Sequence, residues 1–199
     1  MSSTPNGTSV SSLITSVKSA FASAQSVHII GSGTFSGHAV TLDLSMLRSG
    51  DLSGTIKAGP LSEQVVSSGG STYIYVSRAF FTYIQQTQHA PASACALMCG
   101  KWLKVPAGSI SGFNLSSLSN QFIKKVPIAT TVPHLVTTTY QGQPAYKLSN
   151  DKGQEVFVAQ SSPHYLLGIV EPGKFTMTFS QWNAVPPVTP PPANKIFSG

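Results

Sequence analysis

The sequence predicts an α+β fold: an antiparallel sheet with one apolar face, covered by helices. Three observations predict it. Apolar residues at Val10, Leu13, Ile14, Val17, Ala20, Phe21 and Ala24 recur at the spacing of one helical face. From Val27 to Val76 the period becomes two, so that Val40, Leu42, Leu44 and Met46 point one way and Thr41, Asp43 and Ser45 the other. The strand-like runs follow one another through short turn signals, which makes consecutive hairpins and an antiparallel meander. A sheet that is apolar on one side must bury that side, and helices are the elements available to do it.

Each element has its own warrant. Residues 1–8 form a polar, flexible lead, and Thr8 or Ser9 caps a helix running to about Gln25. Strands are expected at 26–35 and 38–48, then at 51–58 and 61–68 around the turn Ala58-Gly59-Pro60. Ser68-Gly69-Gly70-Ser71 turns the chain into a strand over Thr72–Val76. Residues 78–100 break the pattern, with Phe80, Phe81, Tyr83 and Ile84 suggesting a short helix or folded loop. Lys101–Pro106 reads as an edge strand that the proline ends. Leu115, Leu118, Phe122 and Ile123 recur at helical spacing, predicting a second covering helix. Further strands are expected at 133–141, 144–150, 154–160, 164–171 and 174–182, punctuated by the turns Asn150-Asp151-Lys152-Gly153 and Glu171-Pro172-Gly173-Lys174. Residues 185–199 are a proline-rich tail of extended character. No linker separates the halves, so 9–184 is read as a single domain.

Composition narrows the setting. Charged residues are 9% of the 199 residues, and Ser, Thr, Gly, Gln and Asn take their place. About 25% is usual for soluble domains, and a neutral, hydroxyl-rich surface suits an extracytoplasmic protein. The 12 basic and 6 acidic residues give a net charge of +6. The basic residues are dispersed, with Lys124-Lys125 the one adjacent pair and Lys101 and Lys104 flanking Trp102. Without an arginine cluster, nucleic acid is not an expected partner; the dispersed charges read first as solvated charges of no special purpose, with attraction to an anionic membrane surface as the alternative. No run approaches the ~20 apolar residues of a membrane span. The polar start is expected to follow a targeting and anchoring segment absent from this sequence, of the lipoprotein kind. Cys95 and Cys99 lie in a short loop of small residues and are expected to form a disulfide. A zinc site would need further ligands, and the spacing is not that of a redox Cys-x-x-Cys pair.

No catalytic motif emerges. Gly108-Ser109-Ile110-Ser111-Gly112 has isoleucine where a nucleophile elbow needs serine. The glycines at 31, 33 and 37 precede a strand rather than a helix, so they are assigned to a bent or bulged hairpin and not to phosphate binding. Asp43, Asp51, Glu63, Asp151, Glu155 and Glu171 read as ordinary surface carboxylates, Asp43 and Glu63 on polar strand positions. His28 and His38 face each other across the first hairpin in this reading, without the further ligands a metal needs. No cofactor and no enzymatic activity are expected.

Several short motifs occur in a telling order: Ala24-Gln25-Ser26-Val27-His28 leading into the first strand, Leu52-Ser53-Gly54-Thr55-Ile56, then Val65 through Tyr75, then Lys101-Trp102-Leu103-Lys104-Val105-Pro106, and near the end Phe175 through Asn183 before the proline tail. In that order and spacing the chain resembles the actinobacterial lipoproteins of the LprG/LppX type, within the LolA-like lipoprotein-carrier fold, over about residues 9–190. The resemblance implies a strongly curved antiparallel half-barrel with helices on its concave face. It also implies an acyl chain held between them and a membrane-anchored life in the cell envelope. The Cys95–Cys99 excursion departs from the family pattern.

The expected function is therefore non-enzymatic binding or transfer of a lipid or acylated molecule. Its cavity would be lined by Val40, Leu42, Leu44, Ile56, Tyr73, Tyr75, Phe80, Tyr83, Ile84, Leu118 and Phe122. The alternative is a sensor or protein-interaction module on the same fold with a filled core.

Overall fold

The structure, a computed structural model, describes residues 9–35, 37–106, 115 and 134–198. The first element is helix α1, Val10–Ser23. Ser9 caps it, its Oγ accepting the Ser12 N–H at 3.1 Å. Leu13, Val17, Ala20 and Phe21 are buried, one stripe of the helix facing the sheet. The chain turns extended at Ala24. There Arg48 takes over the open carbonyls: its Nη2 donates to Phe21 O at 2.6 Å and its Nε to Ala24 O at 2.5 Å.

Strands β1 (Ser26–Phe35), β2 (His38–Leu47), β3 (Leu52–Ala58), β4 (Leu61–Ser68) and β5 (Ser71–Tyr75) follow as hairpins. Helix α2 (Arg78–Gln88) and the short helix α3 (Cys95–Met98) then lead to β6 (Trp102–Val105). After the undescribed stretch come β7 (His134–Tyr140), β8 (Gln143–Ser149), β9 (Glu155–Ala159), β10 (Leu166–Glu171) and β11 (Phe175–Ser180). All belong to one open, curved antiparallel sheet of 11 strands in the order β6-β5-β4-β3-β2-β1-β11-β10-β9-β8-β7. This is the α+β half-barrel expected, and its boundaries fall within about two residues of those read from the periodicity. The expected helix around Leu118 and Phe122 lies outside the described residues; Leu115 is 1% exposed and belongs to the core.

Cross-strand register arranges the concave face in rows. Val40, Ala58 and Leu61 form one row; Leu42, Ile56 and Glu63 the next; then Leu44, Gly54, Val65 and Ile74; then Met46, Leu52, Ser67 and Thr72. α1 covers the last two rows, so Leu44 and Met46 are each 1% exposed. Val40 at the other end is only half-buried.

The halves meet where β1 pairs with β11. Phe21 of α1 sits over that seam, with its ring 6.3 Å from Phe179 and 4.9 Å edge-on from Trp182. The Trp182 indole stacks on Tyr165 and donates to Leu166 O at 2.8 Å.

The hairpin expected around Gly31, Gly33 and Gly37 forms, but without a bulge. β1 runs through Gly31 and Gly33 in unbroken register with β2, so no bulge interrupts it. Glycine is needed at 33 because a Cβ there would come within 2.6 Å of the Lys174 carbonyl oxygen. The register shift lies instead between Leu166 and Gly168, in the β9–β10 pair. Beside it, on the convex face, Tyr140 stacks on Phe157 at 4.3 Å and shares a hydrogen bond with Thr178 Oγ1 at 3.0 Å. A Cβ on Gly168 would overlap its ring.

The proline tail is strapped to the body. Val185 N–H donates to Ser26 Oγ at 3.2 Å, and Ser68 Oγ donates to Val188 O at 3.2 Å. Ile196 bridges Trp102 in parallel, and Phe197 N–H donates to Trp102 O at 2.8 Å. The tail thus pairs the Trp102 end of the β6 edge, where backbone groups would otherwise be open.

Candidate functional site

The candidate site is the open end of the concave face, where α2 stands off the first row of the sheet. Ser77 starts α2: its Oγ accepts the Phe80 N–H at 3.0 Å and donates to Glu63 Oε1 at 3.1 Å. Phe81, 3% exposed, anchors the helix. With Phe81 inward, Ala79, Thr82, Tyr83 and Gln86 share another face. They form one wall of a groove of about 600 Å³ whose other wall is His38, Val40, Ala58, Gly59, Pro60 and Leu61. That volume lies within the ~300–1,000 Å³ of small-molecule sites. Among the described residues its walls carry no carboxylate, lysine or arginine.

The expected lining residues separate. Val40 and Tyr83 line the groove, and Tyr83 remains 47% exposed. Leu42 and Ile56 occupy the second row and pack against the core. Leu44 lies under α1, inside the core. Phe80 and Ile84 are half-buried on α2, off the groove walls. Tyr73 and Tyr75 are on the convex face: Ile74 pairs with Val65 of the concave rows, so its two neighbours point away. There the Tyr75 ring meets Trp102 edge-on at 5.5 Å. Leu118 and Phe122 lie outside the described residues. Cys95 and Cys99 are disulfide-bonded across α3, with Cα atoms 4.9 Å apart.

Periodicity misjudged Glu63. It is 9% exposed and on the concave face, not on a solvated strand position. Burial raises its pKa above the ordinary 4.5, opposed by the hydrogen bonds from the Ser77 hydroxyl and N–H. Its parity with Leu61 and Val65, two apolar neighbours on β4, is the signal that places it there.

A line of polar groups across three strands was also missed. Asp43 Oδ1 lies 2.8 Å from His28 Nε2, and Ser180 Oγ lies 3.3 Å from His28 Nδ1. His28 is opposite Ser45 and His38 opposite Phe35, so the two histidines do not face each other. The Ser–His–Asp line lies on the convex face, and β1 is paired on both sides, by β2 and β11. Its backbone N–H groups are engaged in the ladders, whereas acyl transfer needs free donors aimed at the oxyanion. Among the described residues no cluster of three or more His, Cys, Asp or Glu is placed to hold a metal ion.

A half-barrel with helices on its concave side and an apolar groove at one end defines the class of fold. The comparison with solved structures agrees on that class of fold. Among solved structures, the chain is similar to LprF from Mycobacterium bovis, with a TM-score of 0.62 at 12% identity, over 90% of this chain and 95% of that one. At that identity the likeness establishes an LprG-like fold. No protein-family model and no curated protein matches the sequence.

Proposed function

We propose that this chain is a non-enzymatic protein of the cell envelope that binds a lipid or acyl chain in the groove between α2 and the Val40–Ala58–Leu61 row. The observation that carries the reading is a groove, apolar and without charge among its described lining residues, on the concave side of an LprG-like half-barrel. Binding there is hydrophobic. Each buried methylene contributes about 0.8 kcal/mol, so about ten of them supply roughly 8 kcal/mol before ordering costs. The disulfide at Cys95–Cys99 supports an oxidising, extracytoplasmic location, and a lipoprotein anchor is part of the reading. No helix of the described residues is long and apolar enough to cross a membrane.

Native mass spectrometry and solvent extraction of the purified protein test the proposal. Bound acyl species are expected in the wild type. Ala79→Trp, at an exposed helix position on the groove wall, is expected to remove them without unfolding the protein. Absence of any acyl ligand from wild-type protein incubated with lipid, or full retention in Ala79→Trp, refutes the assignment.

A further inference from the structure

From Ala79 to Gly100 the chain contains no Asp, Glu, Lys or Arg, and cations bracket it, Arg78 before and Lys101 and Lys104 after. This stretch holds α2 and the disulfide turn. In the turn Pro91, Ala92, Ser93 and Ala96 are exposed, and Leu97 is 62% exposed, more than any other large hydrophobic side chain among the described residues. The Cys95–Cys99 bond holds α3 as a fixed turn with Leu97 on its outer side. Immediately after it, Trp102 and Tyr75 form an aromatic pair on the convex face, where Lys104 is exposed.

The position of this turn is specific. It joins β5 to β6 at the end of the sheet where the Gly59–Pro60 turn borders the groove. The acidic groups of the N-terminal half are withdrawn from it. Asp51 belongs to the opposite end of β3, Glu63 is buried and Asp43 is engaged by His28. An apolar tip, an aromatic pair whose rings carry one polar end each, and lysines at the flanks are the side-chain types a bilayer interface takes at its acyl boundary, glycerol level and headgroup charge.

We infer that the disulfide turn is a docking element that inserts Leu97 into the surface of an anionic bilayer, with Lys101 and Lys104 on the headgroups, and so brings the groove mouth to the membrane. The inference takes from the proposed function only that the protein works at the cell envelope; it does not require an occupied groove.

Co-sedimentation of the full chain with vesicles tests it, comparing phosphatidylcholine alone with phosphatidylcholine containing phosphatidylglycerol, at low and high salt. Binding is expected to rise with the anionic lipid and fall with salt. Leu97→Glu is expected to lower the partition coefficient about tenfold. Replacing Lys101 and Lys104 by Gln is expected to lower it about fivefold per lysine. Circular dichroism and the intact disulfide verify that each variant is folded, and the lysine pair gives a readout independent of the leucine. Wild-type adsorption that ignores lipid charge, or Leu97→Glu binding like wild type, overturns the inference. Ala79→Trp separates the two proposals, since it is expected to lose bound lipid and keep vesicle adsorption. Acyl ligand recovered from a wild type that does not adsorb overturns docking and leaves the groove assignment standing.

Discussion

Arg48→Met should loosen the helix that covers the closed half of the concave face. The guanidinium serves two carbonyls at the C-terminal end of α1, Phe21 O and Ala24 O, while Gln25 Nε2 donates to Ser23 O and Ser23 Oγ to Ala20 O. A hydrogen bond from a charged donor contributes about 1.5–3 kcal/mol. Arg48 is only half-buried, so solvent competes for it and the lower end applies. Methionine keeps most of the aliphatic stem, which restricts the loss to the two bonds and the favourable charge at the helix C-terminus. The expected destabilisation is about 2–3 kcal/mol. For a chain of this size each kcal/mol moves the midpoint by roughly 2–4 °C, so Tm should fall by about 5–10 °C. Arg48→Lys keeps the charge but replaces a fork by a point donor, and recovers less than half of the loss. Urea and thermal unfolding followed by circular dichroism measure both. A methionine variant within about 0.5 kcal/mol of wild type would show that the carbonyls are equally well served by water and that α1 is held by its apolar stripe alone.

Other expectations follow from single features. Glu63 has a raised pKa, so the native state holds its proton more tightly than the unfolded chain. Its contribution is therefore most favourable below the unfolded value near 4.5 and is lost as pH rises through the folded value; urea titrations over pH should show this slope in wild type and not in Glu63→Gln, and parallel profiles would reject it. Gly168→Ala should cost about 1–3 kcal/mol because Tyr140 must leave its place, with the loss smaller in a Tyr140→Ala background; additive effects in a double-mutant cycle would contradict the packing argument. Replacing Cys95 and Cys99 by Ser should lower stability by only about 2 kcal/mol, since the closed loop is short; a loss above about 4 kcal/mol in chemical denaturation would mean that the bond supports more than its own turn.

Strands were legible wherever one face is buried and the other wet. β2 reads directly, since Leu42, Leu44 and Met46 alternate with Thr41, Asp43 and Ser45. β5 does not, because Tyr73 and Tyr75 on one side and Ile74 and Val76 on the other are both apolar, and only the pairing of Ile74 with Val65 decides which side is concave. Glu63 was misplaced for the opposite reason: its charge outweighed its parity. The groove itself has no local signature. Val40 and Leu44 share one strand and one face, and they differ because Leu44 packs in the core with α1 whereas Val40 lines the groove. That depends on helix length and docking, which neither residue reports.

The β1–β11 seam carries a consequence for how the molecule assembles. Among the described residues, every other strand pair joins strands consecutive in the chain, whereas the seam sets His28 opposite Ser180. The two meanders can form from hairpins, each closing a short loop, but the seam must close nearly the whole chain before any of its contacts stabilises it. Assembly across it is expected to come last. Ile29→Val and Phe179→Leu, on opposite sides of the seam, should then accelerate unfolding while leaving the refolding rate almost unchanged in stopped-flow measurements. The same pairing that makes one half-barrel out of two meanders would be the event that ends the search for the native state.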